Sequence, residues 1–220
     1  MRLRNIPGSR ETIAESPFVV SNPAEHRGKW RELFGNSNPL YIEIGMGKGR
    51  FLTDSAALYP DVNFLGIEMY SSVLIRAVQK AEETENFPQN ILFIREDAVR
   101  LPELFSRGEA DRIFLNFSDP WPKERHAKRR LTSDRFLRKY EMILSGGGSV
   151  YFKTDNEDLF DFSLESMRDC GWTLDRVSRD LHSDAVLMRD NVMTEYEERF
   201  SSAGHAIFFL TAHPPAGRKN

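Results

Sequence analysis

Cysteine is nearly absent: Cys170 is the only one in 220 residues. A single thiol excludes an internal disulfide and any cysteine-rich zinc or iron–sulfur site. Paired histidines are missing as well. His26, His126, His182, His205 and His213 are scattered, with no two at helical ligand spacing, so no metal site is expected. No apolar run approaches the about 18–20 residues of a membrane span. The opening "MRLRNIPGSRETIAESP" carries basic residues but no apolar stretch behind them, which excludes a signal peptide. The expectation is a cytoplasmic chain without a membrane partner. Large net charge is lacking too, at −3, but a small total conceals local patches. Residues 123–130 hold five Lys or Arg against one Glu, and the first ten residues hold three Arg and no acid.

What is present is the balance of an ordinary globular protein, 40% hydrophobic and 29% charged. The length suits a single domain, 1–220, with a full core. Its rhythm is strand, helix, strand, helix. Strands are expected over 39–45, 62–69, 90–97, 111–119, 149–155, 172–180 and 205–212, and helices over 50–59, 71–83, 132–144 and 157–171. Serine opens the second of these helices, and "SGGG" ends the third. Apolar strands alternating with helices predict a mostly parallel sheet covered on both faces. Ligands of such sheets bind beyond the carboxyl ends of the strands. The five places of interest, Glu43 to Gly49, Glu68, Asp97, Asp119 and Asp155, all carry an acid.

The first is a glycine turn, "EIGMGKGRF", with Gly45, Gly47 and Gly49. Glycines permit a tight turn and close approach of a ligand to backbone, though a plain strand-to-helix turn would look the same. The P-loop pattern G-x-x-x-x-G-K-[ST] is absent. The dinucleotide pattern G-x-G-x-x-G fails at Arg50, a large side chain where close helix packing wants glycine. S-adenosylmethionine has no phosphate. Its sulfonium and amino group favour acids, and its ribose favours a carboxylate after the second strand; Glu43, Glu68 and Asp97 suit it. The pattern E-x-G-x-G-x-G, with an acid closing strand two and another after strand three, resembles the Rossmann-like class I methyltransferases over residues 39–212.

The stretch "FSDPWPKERHAKRR" (117–130) supplies the acceptor side. Methyl transfer mainly requires alignment of nucleophile and methyl carbon. A pyrimidine C5 acceptor needs a thiolate, and Cys170 lies at a helix end, away from the strand ends. An exocyclic amine acceptor goes with an Asn/Asp/Ser-Pro-Pro-aromatic motif, but here Trp121 takes the second proline's place. Guanine N7 carries an exposed lone pair and no proton. It gains from a carboxylate that grips the guanine donors and offsets charge developing on the ring. Asp119 fits, and Trp121 is a candidate wall for the base; both are also consistent with a simple turn around a core Trp. The basic run suits phosphate contacts, or a solvated face. Thr194, Tyr196 and Glu197 could add polar contacts to a base, although "TEYEERF" also reads as a plain amphipathic helix.

"EIGMGKGRF", "GIEMY", "FSDPWPKERHAKRR", "FKTDNEDLF" and "TEYEERF", in this order, resemble the bacterial tRNA (guanine-N7-)-methyltransferase family. The resemblance implies a mostly parallel seven-stranded sheet flanked by helices, with the last strand antiparallel. It implies methylation of guanine 46 in the tRNA variable loop, with S-adenosylmethionine as cofactor and tRNA as partner. Glu43, Gly45, Gly47, Gly49, Glu68, Asp97 and Asp119 would then form the cofactor site, and Asp119 would be catalytic. Lys123, Asp155, Thr194, Glu195, Tyr196 and Glu197 would bind the substrate. Arg125, His126, Lys128, Arg129 and Arg130 would lie against the RNA. The segment 1–26, with Arg2, Arg4 and Arg10, looks like the family's mobile arm, and the chain would act as a monomer or homodimer. Two rivals stay open: a methyltransferase of small molecules or proteins, and a catalytically silent RNA-binding module.

Overall fold

A computed structural model describes residues 6–216 of the chain. Arg2 and Arg4 lie outside them. Seven strands form the sheet, in the order β3-β2-β1-β4-β5-β7-β6. They are β1 (Leu40–Ile44), β2 (Asn63–Ile67), β3 (Ile91–Ile94), β4 (Ala110–Asn116), β5 (Leu144–Thr154), β6 (Thr173–Ser178) and β7 (Phe208–His213). This is the expected mostly parallel sheet with an antiparallel last strand. The chain divides into two compact units, Met1–Ser106 and Arg107–Asn220.

In the first unit β1, β2 and β3 pair in parallel. Every residue of β2 is buried, as expected of a strand covered on both faces. The helices α3 (Arg50–Leu58) and α4 (Ser71–Glu83) follow β1 and β2. Ser71 is the first helical residue rather than the cap. Gly66, in the middle of β2, is a packing requirement. A Cβ there would stand 2.2 Å from the Met46 sulfur and 2.6 Å from Leu52 Cδ1. The close approach that Arg50 denies to the glycine turn is thus provided from the strand below it.

The segment expected as a mobile arm is docked where it is described. Helix α1 (Ser9–Glu15) packs on α4, burying Ile13, and Ser9 bonds to Ser71 at 3.2 Å. Residues 18–20 then lie along β3, with Phe93 N donating to Phe18 O and Val20 N to Phe93 O. Like α1, two further short helices have no counterpart in the sequence pattern. The first is α2 (Trp30–Phe34), whose fully buried Trp30 donates to Leu104 O at 2.9 Å; the second is α5 (Leu101–Leu104). Both span about one turn, too short to show a hydrophobic period.

In the second unit β4 pairs with β5 in parallel, and β7 is antiparallel to β5 and β6. Helices α6 (Asp134–Ile143), α7 (Glu157–Asp169) and α8 (Glu195–Ser202) complete it. β5 begins at Leu144, five residues before the expected start. Its register jumps between Ala110↔Leu144 and Arg112↔Ser149. The "SGGG" expected to terminate a helix is therefore a bulge inside the strand, with Gly146 and Gly147 exposed.

Candidate functional site

The candidate residues fall into two sets, one in each unit. In the first unit, Ile44, Ile67 and Ile94 stand in register, so β1, β2 and β3 end along one edge. The glycine turn leaves β1 there. Gly45 and Met46 both donate their N–H to Ile67 O, at 2.8 and 3.2 Å. Gly45, Gly47 and Gly49 all adopt positive φ, between 59° and 77°, the left-handed region that other residues enter at a cost. A Cβ at Gly45 or Gly47 would meet nothing within 4 Å, so the space over the turn is open to a ligand.

Acids surround this turn. Glu43, at 2% exposure, is buried beneath it, and Glu68 is 6% exposed. The Glu68 carboxylate is oriented by two main-chain donors: Gly47 N–H to one oxygen at 3.2 Å and Tyr70 N–H to the other at 2.9 Å. Asp97 caps the short 3₁₀ turn after β3 by accepting from Val99 N–H at 2.8 Å, and its side chain is exposed. Carboxylates grouped round an open glycine turn suit a cationic, hydroxyl-bearing ligand such as S-adenosylmethionine. They would repel a phosphate.

In the second unit β4 ends at Asn116, in register with Lys153 of β5, and Phe117 N–H still donates to Lys153 O at 2.8 Å. The chain then turns sharply. Phe117 has φ 51° and Trp121 φ 42°. Left-handed non-glycine residues cost about 1–3 kcal/mol each and persist only where their surroundings hold them. Phe117 is held by packing, against the cluster of Leu181, Ile207 and Phe209. Trp121 is held by its neighbours: the Arg129 guanidinium lies 4.8 Å from its ring centroid, and His126 meets it edge-on at 5.7 Å. Between them stands Asp119, exposed, with no hydrogen-bond or ion-pair partner among the described residues.

The basic run forms a 3₁₀ turn, Glu124–Arg129. Its cations divide into two kinds. Lys123, Arg125 and Lys128 are exposed, and their side chains make no hydrogen bond or ion pair among the described residues. Arg129 and Arg130 are engaged within the chain. Arg130 donates from Nε to Pro120 O at 3.0 Å and from Nη2 to Trp121 O at 3.2 Å.

The remaining candidates gather at the end of β5 and the start of α8. Thr194 caps α8, its hydroxyl accepting from Glu197 N–H at 2.9 Å. Glu195 is exposed. Tyr196, 40% exposed, donates its hydroxyl to Asp155 at 3.1 Å and stacks on Phe200 with centroids 4.0 Å apart. Burial first, then the Asp155 charge, pushes the Tyr196 phenol up to about 12. Glu197 differs from its expected role. It is fully buried. One of its oxygens accepts from Lys153 Nζ at 2.5 Å; the other accepts from Asn191 Nδ2 at 2.7 Å and lies 3.1 Å from His182 Nε2. Lys153, itself buried, also donates to Asn191 Oδ1 and Val192 O. This network fastens α8 to β5. Nothing in the sequence distinguishes Lys153 from any strand-end lysine.

Cys170 caps α7, and burial raises its thiol above the ordinary value. A thiol so shifted is a poor thiolate nucleophile. Among the described residues no cluster of His, Cys, Asp and Glu could hold a metal ion, and no helix is long and apolar enough to cross a membrane.

Comparison with solved structures places the fold. A structure of an antibiotic-related methyltransferase superimposes with a TM-score of 0.63 at 18% identity, covering 85% of this chain and 93% of that one. A variant of the 16S rRNA (adenine(1408)-N(1))-methyltransferase from Catenulisporales acidiphilia, solved with its cosubstrate SAM, gives 0.60 at 12% identity, covering 88% and 93%. A family model described as "putative methyltransferase" matches residues 37–210. Relatives named tRNA (guanine-N(7)-)-methyltransferase match nearly end to end. That of Lachnoclostridium phytofermentans is 57% identical, covering 96% of this chain and 98% of the relative. That of Bacillus subtilis is 48% identical, covering 94% and 96%. That of Geobacillus kaustophilus is 48% identical over the whole of both chains. On the fold, these motifs and this identity, the chain belongs to the tRNA (guanine-N7-)-methyltransferase family.

Proposed function

We propose that this chain transfers a methyl group from S-adenosylmethionine to N7 of guanine 46 in the variable loop of tRNA, in the cytoplasm. The observation that carries the reading is Asp119: an exposed carboxylate without a protein partner among the described residues, held on a turn between two left-handed residues. A chain seldom maintains such a turn unless the group it presents is used.

S-adenosylmethionine, when bound, supplies a methyl carbon made electrophilic by its sulfonium. Glu43, Glu68, Asp97 and the turn Gly45–Gly49 are the groups suited to hold it, by compensating its positive charge and accepting from its hydroxyls. Asp119, which we also count among the cofactor-site residues, accepts from the N1–H and amino donors of guanine, turning the base and countering the charge that N7 methylation leaves on the ring. No general base is required, because N7 carries no proton. Asp155, with its carboxylate bound by the Tyr196 hydroxyl, and the exposed Tyr196 ring suit the substrate side, beside Thr194 and Glu195. Lys123, Arg125 and Lys128 suit the phosphates of tRNA, giving affinity without sequence readout. Glu197 and Lys153 act from the interior, by keeping α8 in place.

The test is product analysis. Purified protein is incubated with methyl-labelled S-adenosylmethionine and unmodified tRNA, and the digest is separated into nucleosides. The label is expected in 7-methylguanosine, mapping to position 46. Label in 1-methyladenosine, in a methylated exocyclic amine, or only in protein would contradict the reading.

A further inference from the structure

The five cations of the run 123–130 do not share one environment. Three project from the surface, while Arg130 is half-buried and spends its guanidinium inside the chain. Its two targets are successive carbonyls, those of Pro120 and Trp121, on the turn that carries Asp119. The turn needs such a donor. Pro120 and Pro122 have no N–H to offer it, and neither carbonyl belongs to a helix or strand. The guanidinium carbon lies over the Phe162 ring of α7, 4.3 Å from its centroid. The main chain of Arg130 is fixed as well: its N–H donates to Ala127 O and its C=O accepts from Ser133 N–H at the start of α6, both at 3.0 Å. A planar fork meets two adjacent carbonyls along its edge while its flat face stacks on a ring; a lysine ammonium has no flat face to stack.

We propose that Arg130 is a positioning residue for the Asp119 turn, an internal brace and not a tRNA contact. The proposal rests on Asp119 being the group that meets the guanine. The brace ties the carbonyls of Pro120 and Trp121 together and keeps Trp121 in its left-handed conformation. A shift of about 1 Å in a group that aligns a reaction can cost about 100-fold in rate, so the brace acts on kcat. Phosphate contacts act on tRNA affinity and on its salt dependence.

The experiment compares Arg130→Ala, Arg130→Lys and Lys128→Ala with the wild type, measuring kcat at saturating tRNA, tRNA Kd and the slope of log Kd against log salt. Arg130→Ala is expected to lower kcat about 100-fold, with tRNA Kd and salt slope unchanged. Added guanidinium chloride, against sodium chloride at equal ionic strength, should restore part of that rate, and Arg130→Lys should not. Lys128→Ala should weaken tRNA binding and reduce the slope. An Arg130→Ala variant with wild-type kcat but weakened tRNA binding and a reduced slope would overturn the proposal. Should Arg130→Ala fail to fold, Phe162→Leu removes only the ring beneath the guanidinium. It is expected to lower kcat with tRNA binding intact, and an unchanged kcat would count against the brace. Asp119→Ala, run in parallel, separates the two claims. If it retains the wild-type rate, the reading of Asp119 fails; if only the Arg130 and Phe162 variants retain it, the brace fails while that reading stands.

Discussion

The two halves of the chain build their candidate sites by different means. Residues 6–106 use backbone. The turn is shaped by glycines of positive φ, its carboxylate Glu68 is aimed by two main-chain N–H groups, and its floor is set by Gly66, where a Cβ has no room. Residues 107–216 use side chains. Arg130 ties two carbonyls, Lys153 and Glu197 fasten α8 to β5, and the Tyr196 hydroxyl orients Asp155. The backbone construction suits a ligand of constant shape such as a cofactor. The side-chain construction leaves Asp119 and three cations projecting from an otherwise braced surface, as suits a large polyanion.

Substitutions that separate these constructions are expected to differ in size and in kind. The largest effect on stability belongs to the buried pair of the second half. Lys153→Met removes the cation from the buried Glu197 carboxylate, and breaking such a pair typically costs about 3–5 kcal/mol. Pairing it with Glu197→Leu should recover much of that loss in a thermal-unfolding cycle. If the single variant is as stable as the wild type, the network is not a structural fastening.

In the first half the sensitive position is a glycine. Gly66→Ala drives a methyl group into Met46 and Leu52. It should cost about 1–3 kcal/mol by overpacking and weaken S-adenosylmethionine binding by calorimetry, because Met46 belongs to the turn. Gly146→Ala, in the exposed bulge with open space around it, should do neither.

Smaller changes are expected at the surface. Charge reversal at Lys123 and Arg125 should reduce the salt slope of tRNA binding by about one for each phosphate no longer neutralised, with little change in melting temperature. A melting shift without a slope change would make these residues a solvated face. Smallest is the titration of Tyr196. Its pKa is raised from the ordinary 10.0 to about 12, so the folded chain releases this proton later than the unfolded chain. The resulting stability is complete below pH 10 and is lost as pH rises through about 12. Difference absorbance should show Asp155→Asn bringing the phenol only part of the way back, because burial is the larger cause.

How much of this is readable from the sequence follows the same division. The alternation of apolar strands with helices is legible, as are the acids at their ends, since period and spacing are local properties. The glycine turn is legible because left-handed backbone is written in glycine. Phe117 and Trp121 adopt the same region with no glycine to announce it; only the prolines around Trp121 hint at a forced turn. The basic run is legible as charge. Its split into three cations without a partner among the described residues, Arg129 over the Trp121 ring and a half-buried Arg130 on two carbonyls is not, because this depends on carbonyls and rings brought in by folding. Glu197 in "TEYEERF" looks like a surface acid until Lys153, 44 positions earlier, is placed beside it. Gly66 does carry a signal, since a glycine inside a fully apolar strand commonly marks a close approach, but what approaches it, Met46 and Leu52, is set by the fold.

The most direct test of the central claim is the rate of 7-methylguanosine formation by Asp119→Ala at saturating tRNA and S-adenosylmethionine, with tRNA binding and melting temperature measured on the same preparation. A rate lowered by about 100- to 1,000-fold, the usual effect of removing one preorganised electrostatic partner, is expected, with tRNA affinity and melting temperature unchanged. A variant that methylates guanine N7 at a near wild-type rate would contradict the account.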